Sequence, residues 1–308
     1  MADWEIIGLR WVLYLSLALV TGLPIFARLS RSDDLPNASV PQAWIVLVLA
    51  LCAMCLSVLG FAMQVATMTG STLFDVDATI VSSLLDQTSL GLALKVRLFA
   101  ILAAAILAAA ALARHSAGWF LQAMAGAVAL GTLAWSGHGA ATDGPGGWVH
   151  LVADIIHLIA AAAWIGALLG FLSMLNAVRR RQDSAASATY RALANFAATG
   201  SVLVSVLILT GLTNGWYILK EGSLRDALFA PYAQLLILKL ILFAVMLGLA
   251  SLNRFRLTPA LRDALKRREE GSAIENLRRS IILELTAGVV ILFLVAWLGT
   301  LAPFPSIQ

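Results

Sequence analysis

Long apolar segments separated by short polar ones run through the whole chain. A transmembrane α-helix needs about 20 predominantly apolar residues, and most of these segments approach that length. They lie near residues 9–27, 43–65, 91–113, 119–136, 148–174, 192–213, 232–252 and 280–301. The pattern predicts an all-α fold, a polytopic transmembrane helix bundle of about eight spans that forms a single integral membrane domain over residues 1–308.

The composition excludes an ordinary soluble domain. Apolar residues make up 60% of the chain, charged residues 12%, and the mean hydropathy is +0.89, whereas soluble domains carry about 25% charged residues. The first apolar segment lacks a basic region before it and a small-residue cleavage site before Arg28, so we expect a permanent span rather than a signal peptide. The lipid bilayer is therefore the expected surrounding of the chain.

The basic residues indicate an orientation for the bundle. If the N-terminus lies outside, most of the 21 Lys and Arg residues fall in cytoplasmic loops, including those at 179–181, 254–256 and 266–268, as the positive-inside rule requires. Both termini are then extracytoplasmic, N-out and C-out. Because topology explains the net charge of +4 and the pI near 9.4, we expect no nucleic-acid partner. The charged stretch 253–279 is predicted to be a cytoplasmic helical connector.

The fifth predicted span carries the densest set of ionisable side chains. His150, Asp154, His157 and Trp164 follow one another at spacings that place them on one stripe of a helix, and His138 lies just before this span. Ionisable groups inside a membrane are costly and need a partner or a function. Histidine is the commonest metal ligand, and a carboxylate often fixes its tautomer. The stripe indicates a metal or redox site that faces outward, although hydrogen bonding between helices is the simpler alternative.

Sulfur-containing residues in the second span are further candidate ligands. Cys52 and Cys55 lie near its middle, and Met63 and Met68 lie toward its outer end. Thiolate and thioether groups suit Cu(I). Cysteine and methionine are also common buried apolar residues, so packing is the alternative interpretation.

Three ionisable residues lie inside other predicted spans and are expected to act as supporting charges: Arg97, Lys239 and Glu284. Arg97 and Lys239 lie deep enough to pair with Asp154. Glu284 is predicted near the cytoplasmic end of the last span, where Arg254 or Arg279 could neutralise it.

Several separated motifs resemble the copper resistance D (CopD) family, in the order that this family shows. They are Gly137-His138-Gly139, the segment from His150 to His157, Trp164-Ile-Gly166, Thr210-Gly211-Leu212, Pro231-Tyr232 with Lys239, Asn253-Arg254-Phe255-Arg256, and Arg279-Ser280 before Glu284. The resemblance implies an eight-span protein of the bacterial cell inner (plasma) membrane that handles copper ions. It further implies a copper role for His138, His150, Asp154 and His157, and a separate periplasmic copper-binding partner of the copper resistance C type.

Three functions remain open from the sequence. The leading hypothesis is copper import from the periplasm for copper homeostasis and resistance, with weak successive sites that permit passage. The second is a membrane redox protein that is linked to haem or quinone and uses histidine ligands. The third is a sensor or docking partner that does not transport copper. The chain has no P-loop, dinucleotide fingerprint or nucleophile elbow, and we expect a transporter rather than an enzyme.

Overall fold

Helices account for nearly all of the ordered secondary structure of the chain. The computed structural model describes residues 4–30, 43–73, 75, 77–110, 116–136, 145–179, 185–219 and 231–301, and these contain no β-strand. The helices are α1 (Trp4–Leu29), α2 (Ala43–Thr69), α3 (Ala78–Gln87), α4 (Ser89–Ala109), α5 (Ser116–Gly131), α6 (Pro145–Arg179), α7 (Ala185–Leu219), α8 (Pro231–Leu252), α9 (Thr258–Arg267) and α10 (Gly271–Leu298). Within the described residues, eight helical segments are long and apolar enough to cross a membrane. Helix α3 is not among them, and α9 is counted together with α8. The prediction of an all-α bundle with eight spans is confirmed.

Helix α3 was not predicted, because its 10 residues are too few to appear as an apolar segment of spanning length. Asp77 caps its N-terminus: the Thr79 backbone N–H and hydroxyl donate to Asp77 Oδ1 over 2.8 and 2.7 Å. These hydrogen bonds hold the pKa of Asp77 below its ordinary value. Thr88 then caps α4 by accepting a hydrogen bond from the Gly91 N–H at 3.1 Å. Capping side chains therefore explain a short helix that apolar run length could not reveal.

Several helices extend beyond the predicted spans. Helix α6 begins at Pro145 and ends at Arg179, and α10 begins at Gly271 rather than near residue 280. The prediction used the limits of apolar runs, whereas a helix continues into water until its backbone is capped. The connector after α8 is helical as predicted: a π-helical turn (Asn253–Leu257) leads into α9, which ends at Arg268 in a left-handed conformation with φ 59°.

Helix α1 lies at the centre of the bundle and packs against α2, α5, α6 and α10. Its Gly22 touches Gly166 of α6 so closely that a Cβ on either residue would collide with the backbone of the other helix. Helices α7 and α8 are peripheral. Helix α7 packs mainly on α6 and α8 mainly on α10, and in the described residues α7 and α8 make little or no contact with each other. A lateral crevice between α7 and α8 is therefore backed by α6.

Candidate functional site on helix α6

The polar stripe of α6 faces α7, which runs antiparallel to it. His150 is only 4% exposed, and its ring stacks on Tyr217 of α7 with a centroid distance of 4.9 Å and an interplanar angle of 6°. One helical turn further along α6, Asp154 Oδ1 accepts a hydrogen bond from Asn214 Nδ2 at 3.1 Å. The predicted stripe therefore points into the protein and away from lipid.

His157 is held by a hydrogen bond that defines its tautomer. Its Nδ1 lies 2.9 Å from Thr210 Oγ1, and the Thr210 hydroxyl donates its own hydrogen to the Val206 carbonyl at 2.6 Å. Because that hydrogen is used, Nδ1 must be the donor to Thr210, and Nε2 of the neutral ring carries the available lone pair. Nε2 is therefore the nitrogen that can bind a metal ion.

Three residues of α7 that contact the stripe were missed by the sequence analysis. Thr210, Asn214 and Tyr217 follow one another at intervals of four and three residues, the same intervals that separate His150, Asp154 and His157. Matching polar intervals on two neighbouring apolar helices are a signal that could have identified this pairing in advance. The sequence analysis did not use this signal, because it considered ionisable and sulfur-containing residues as candidate ligands and not neutral polar ones.

Helix α8 contributes a positive charge to the same region. Lys239 lies within electrostatic range of Asp154 and of His157, whereas an ion pair between Lys239 and Asp154 stays a prediction. Arg97 does not join them. It is buried and donates to Thr132, from Nε to Oγ1 at 2.8 Å and from its terminal nitrogen to the carbonyl at 3.4 Å. The prediction that Arg97 pairs with Asp154 is wrong, because the turn after α5 lies closer and offers two acceptors.

Two exposed tryptophans mark the depth of the stripe. Trp148 and Trp216 are each 70% exposed and lie beside His150 and Tyr217 in the sequence. Tryptophans of this kind belong at the boundary between lipid and water. At about 1.5 Å per residue, His157 lies about 13 Å along the helix axis from Trp148. The stripe therefore extends from the membrane surface into the hydrocarbon region.

Glu284 is buried against the opposite half of α6. Its Oε1 accepts a hydrogen bond from Trp164 Nε1, and its Oε2 accepts one from Asn253 Nδ2, both at 2.9 Å. The predicted ion pair with Arg254 or Arg279 is not formed; Arg254 hydrogen bonds to Ser201 instead. The prediction failed because Glu284 is buried in the bundle, where the neutral donors Trp164 and Asn253 already satisfy both of its oxygens.

The sulfur residues lie on a different part of the bundle. Helix α2 packs mainly against α1 and α4. Cys52 is within 3.9 Å of the Ser16 hydroxyl of α1, and Cys55 is exposed. Met63 is half-buried and Met68 is exposed. The structure does not bring these four residues to the histidine stripe, and their role as ligands stays a prediction.

The described residues do not by themselves form a metal-binding cluster. His138 lies outside them, and within them no group of three or more His, Cys, Asp and Glu side chains is close enough to hold a metal ion. The stripe offers single potential metal ligands one after another along α6: the ring of His150, the carboxylate of Asp154 and Nε2 of His157. Such an arrangement suits a metal ion that binds briefly and moves on, because conduction requires weak, multiple sites.

The fold and the stripe together define a polytopic helical membrane protein with potential metal ligands inside its bundle. Comparison with known proteins identifies the family. The family description "Copper resistance protein D-like, N-terminal domain" matches residues 1–148, and "Copper resistance protein D" matches residues 190–298. Copper resistance protein D of Pseudomonas syringae pv. tomato is 35% identical over 98% of both chains. The chain belongs to the copper resistance protein D family, as the sequence motifs predicted.

Two further relatives match shorter parts of the chain. Inner membrane protein YebZ of Escherichia coli (strain K12) is 32% identical over 56% of each chain. Copper transport protein CutJ of Bacillus subtilis (strain 168) is 28% identical over 39% of this chain and 21% of the relative. No solved structure matches the chain. With its eight apolar helices, the chain is a multi-pass inner-membrane protein of a copper resistance and transport family.

Proposed function

We propose that this protein imports copper through the inner membrane and that the stripe of α6 is the outer half of the route. The observation that carries the proposal is the orientation of His150, Asp154 and His157 toward α7, with Nε2 of His157 available as a ligand. A partly buried line of donors that begins near the membrane surface is what a copper ion needs to leave water. The chain acts as a transporter and not as an enzyme, and copper is its cargo.

The stripe handles the ion in steps. With the orientation predicted from the basic loops, copper meets His138 and His150 at the periplasmic end and moves inward to Asp154 and His157. Asp154 supplies negative charge that offsets the cation, and Lys239, which lies within electrostatic range of both Asp154 and His157, limits how tightly a cation is held. Moderate affinity at each step allows the ion to continue.

Copper accumulation in cells tests this function. Cells that express the protein are compared with cells that express His150→Ala or His157→Ala, at equal protein level in the membrane. We expect both variants to accumulate about as little copper as cells without the protein, because each removes one donor of the line. His115→Ala is the matched control, since His115 lies in the sequence between the predicted spans 91–113 and 119–136 and is not part of the proposed route. Accumulation that is unchanged in both stripe variants would contradict the proposal.

We further propose that a separate periplasmic copper-binding protein of the copper resistance C type delivers the ion. The support is the family to which the chain belongs, together with the position of His150 beside the exposed Trp148 at the membrane surface. If the partner delivers copper, the isolated copper-loaded partner should lose its copper to the wild-type protein in nanodiscs. It should retain its copper when it is mixed with the His150→Ala variant in nanodiscs. Equal loss to both proteins would exclude a handover through His150.

A further inference from the structure

A large cavity lies on the far side of Trp164 from the histidine stripe. It has a volume of about 640 Å³ and is bounded by α6, α7 and the segment that joins α8 to α9. Trp164, Asn253 and Glu284 line one part of it, where they are joined by hydrogen bonds. The volume falls in the range of about 300–1,000 Å³ that is typical of small-molecule sites.

Aromatic rings form much of the wall. Trp164, Phe171, Tyr190 and Phe196 all line the cavity, and the rings of Phe171 and Phe196 meet edge to face at a centroid distance of 5.2 Å. Aromatic side chains favour offset or edge contacts with another ring. The wall therefore suits a flat ring better than a flexible chain alone.

The hydrogen bonds of Asn253 indicate which group the ring of a ligand should carry. Asn253 is 9% exposed and gives its amide N–H to Glu284, whereas its Oδ1 has no hydrogen-bond partner among the described residues. A buried acceptor without a donor is unfavourable and rare. Asn253 also opens the π-helical turn (Asn253–Leu257), a distortion that is frequent at functional sites. A ligand hydroxyl that donates to Asn253 Oδ1 would give this buried acceptor its missing hydrogen bond.

The cavity is accessible from the bilayer. Val204 of α7 and Leu247 of α8 both line it, yet these two helices make little or no contact with each other in the described residues. Of the eight membrane-spanning segments of the described structure, those that contain α7 and α8 also have the smallest share of buried residues in their apolar stretch, 11% and 6%. A ligand that enters between α7 and α8 must therefore dissolve in lipid.

We propose that this cavity binds a quinol, a lipid-soluble molecule whose ring carries hydroxyl groups. The ring stacks between the aromatic residues, one hydroxyl donates to Asn253 Oδ1, and the apolar tail leaves between α7 and α8. A phospholipid fits less well, because Arg254 at the rim is already bound to Ser201 and lies 5.2 Å above the Phe255 ring centre, and Glu284 would repel a phosphate. This site is independent of the copper route and does not rest on it.

Binding of decylubiquinol and of its oxidised form, decylubiquinone, to the full-length protein in nanodiscs tests the site. The quinone has carbonyl acceptors where the quinol has hydroxyl donors, so we expect the wild-type protein to bind the quinol about tenfold more tightly. Ala197→Phe, which fills the cavity, should abolish binding, whereas Ala198→Phe, at a neighbouring exposed residue outside the lining, should not. Equal binding by these two variants would overturn the proposal.

A second pair of variants tests the hydrogen bond. Asn253→Leu should remove the preference for the quinol over the quinone, and Ser280→Ala should keep it, since Ser280 is buried one turn from Glu284 but does not line the cavity. A preference that survives in Asn253→Leu, or retention of phospholipid alone by the wild-type protein, would overturn the assignment. Neither result depends on copper accumulation, so this proposal and the copper route fail separately.

Discussion

At the scale of single residues, the best defined element of the proposed copper route is the tautomer of His157. The ring donates from Nδ1 to Thr210, which in turn donates to the Val206 carbonyl, and this chain of bonds leaves Nε2 as the ring nitrogen with a lone pair for a metal ion. Loss of the hydrogen-bond partner that orients a histidine ligand commonly lowers metal affinity. In the proposed route, Thr210 is therefore a positioning residue.

Removal of the Thr210 hydroxyl tests that role. We expect Thr210→Val to weaken copper binding by about tenfold, because Nδ1 loses its acceptor and both tautomers become accessible to the ring. Metal titration of the purified protein measures the effect. Thr213→Val is the matched control: its hydroxyl bonds only to the Leu209 carbonyl on the same exposed helix face. A Thr210→Val variant that binds copper like Thr213→Val would show that the tautomer does not matter.

At residue scale, the sequence predicted which side chains of α6 share a face, but it predicted some of the hydrogen-bond and ion-pair partners wrongly. Spacing alone placed His150, Asp154 and His157 on one face, because the helical repeat is fixed. Spacing cannot show which neighbouring helix meets that face, and so Arg97 was assigned to Asp154 although it bonds to Thr132. The partners of Glu284 were mistaken for the same reason, since spacing does not show that Trp164 and Asn253 face it.

At the scale of elements, the contact between α1 and α6 positions the stripe. Gly22 and Gly166 let the two backbones touch, which is the role small residues have between transmembrane helices. This contact joins α6 to the central helix and leaves its other side for α7. Close packing of the two backbones therefore fixes α6 against the central helix.

A methyl group at this contact should force the helices apart. We expect Gly22→Ala to destabilise the protein by about 1–3 kcal/mol, which thermal unfolding in detergent would report as a lower midpoint. Gly8→Ala on the same helix has nothing within 4 Å of its added carbon and should unfold at or slightly above the wild-type temperature, because alanine favours helix. Equal midpoints for the two variants would contradict the close contact.

Element existence was predictable, and element limits were not. Eight apolar runs predicted eight spans, since each must bury its backbone in lipid as helix. Helix α3 escaped prediction because its stability derives from the Asp77 cap and not from an apolar run. The extra turns of α6 and α10 lie outside the hydrocarbon, where hydropathy gives no signal.

At the scale of the whole molecule, the orientation of the bundle decides which end of the α6 stripe faces the periplasm. The distribution of Lys and Arg predicts extracytoplasmic termini and an outward-facing stripe. Single cysteines in a protein without Cys52 and Cys55 test this with a maleimide that cannot cross membranes. Thr72→Cys, beyond the end of α2, should be labelled in intact spheroplasts, and Glu269→Cys, between α9 and α10, only after permeabilisation. The reverse pattern would invert the bundle and the proposed direction of transport.

Copper uptake into proteoliposomes tests the central claim most directly. The purified wild-type protein should carry Cu(I) into vesicles faster than lipid alone, while His157→Ala, reconstituted at equal density, should match protein-free vesicles because the deep ligand of the route is missing. His115→Ala should transport like the wild type. Uptake by His157→Ala at the wild-type rate would contradict a copper route along the α6 stripe.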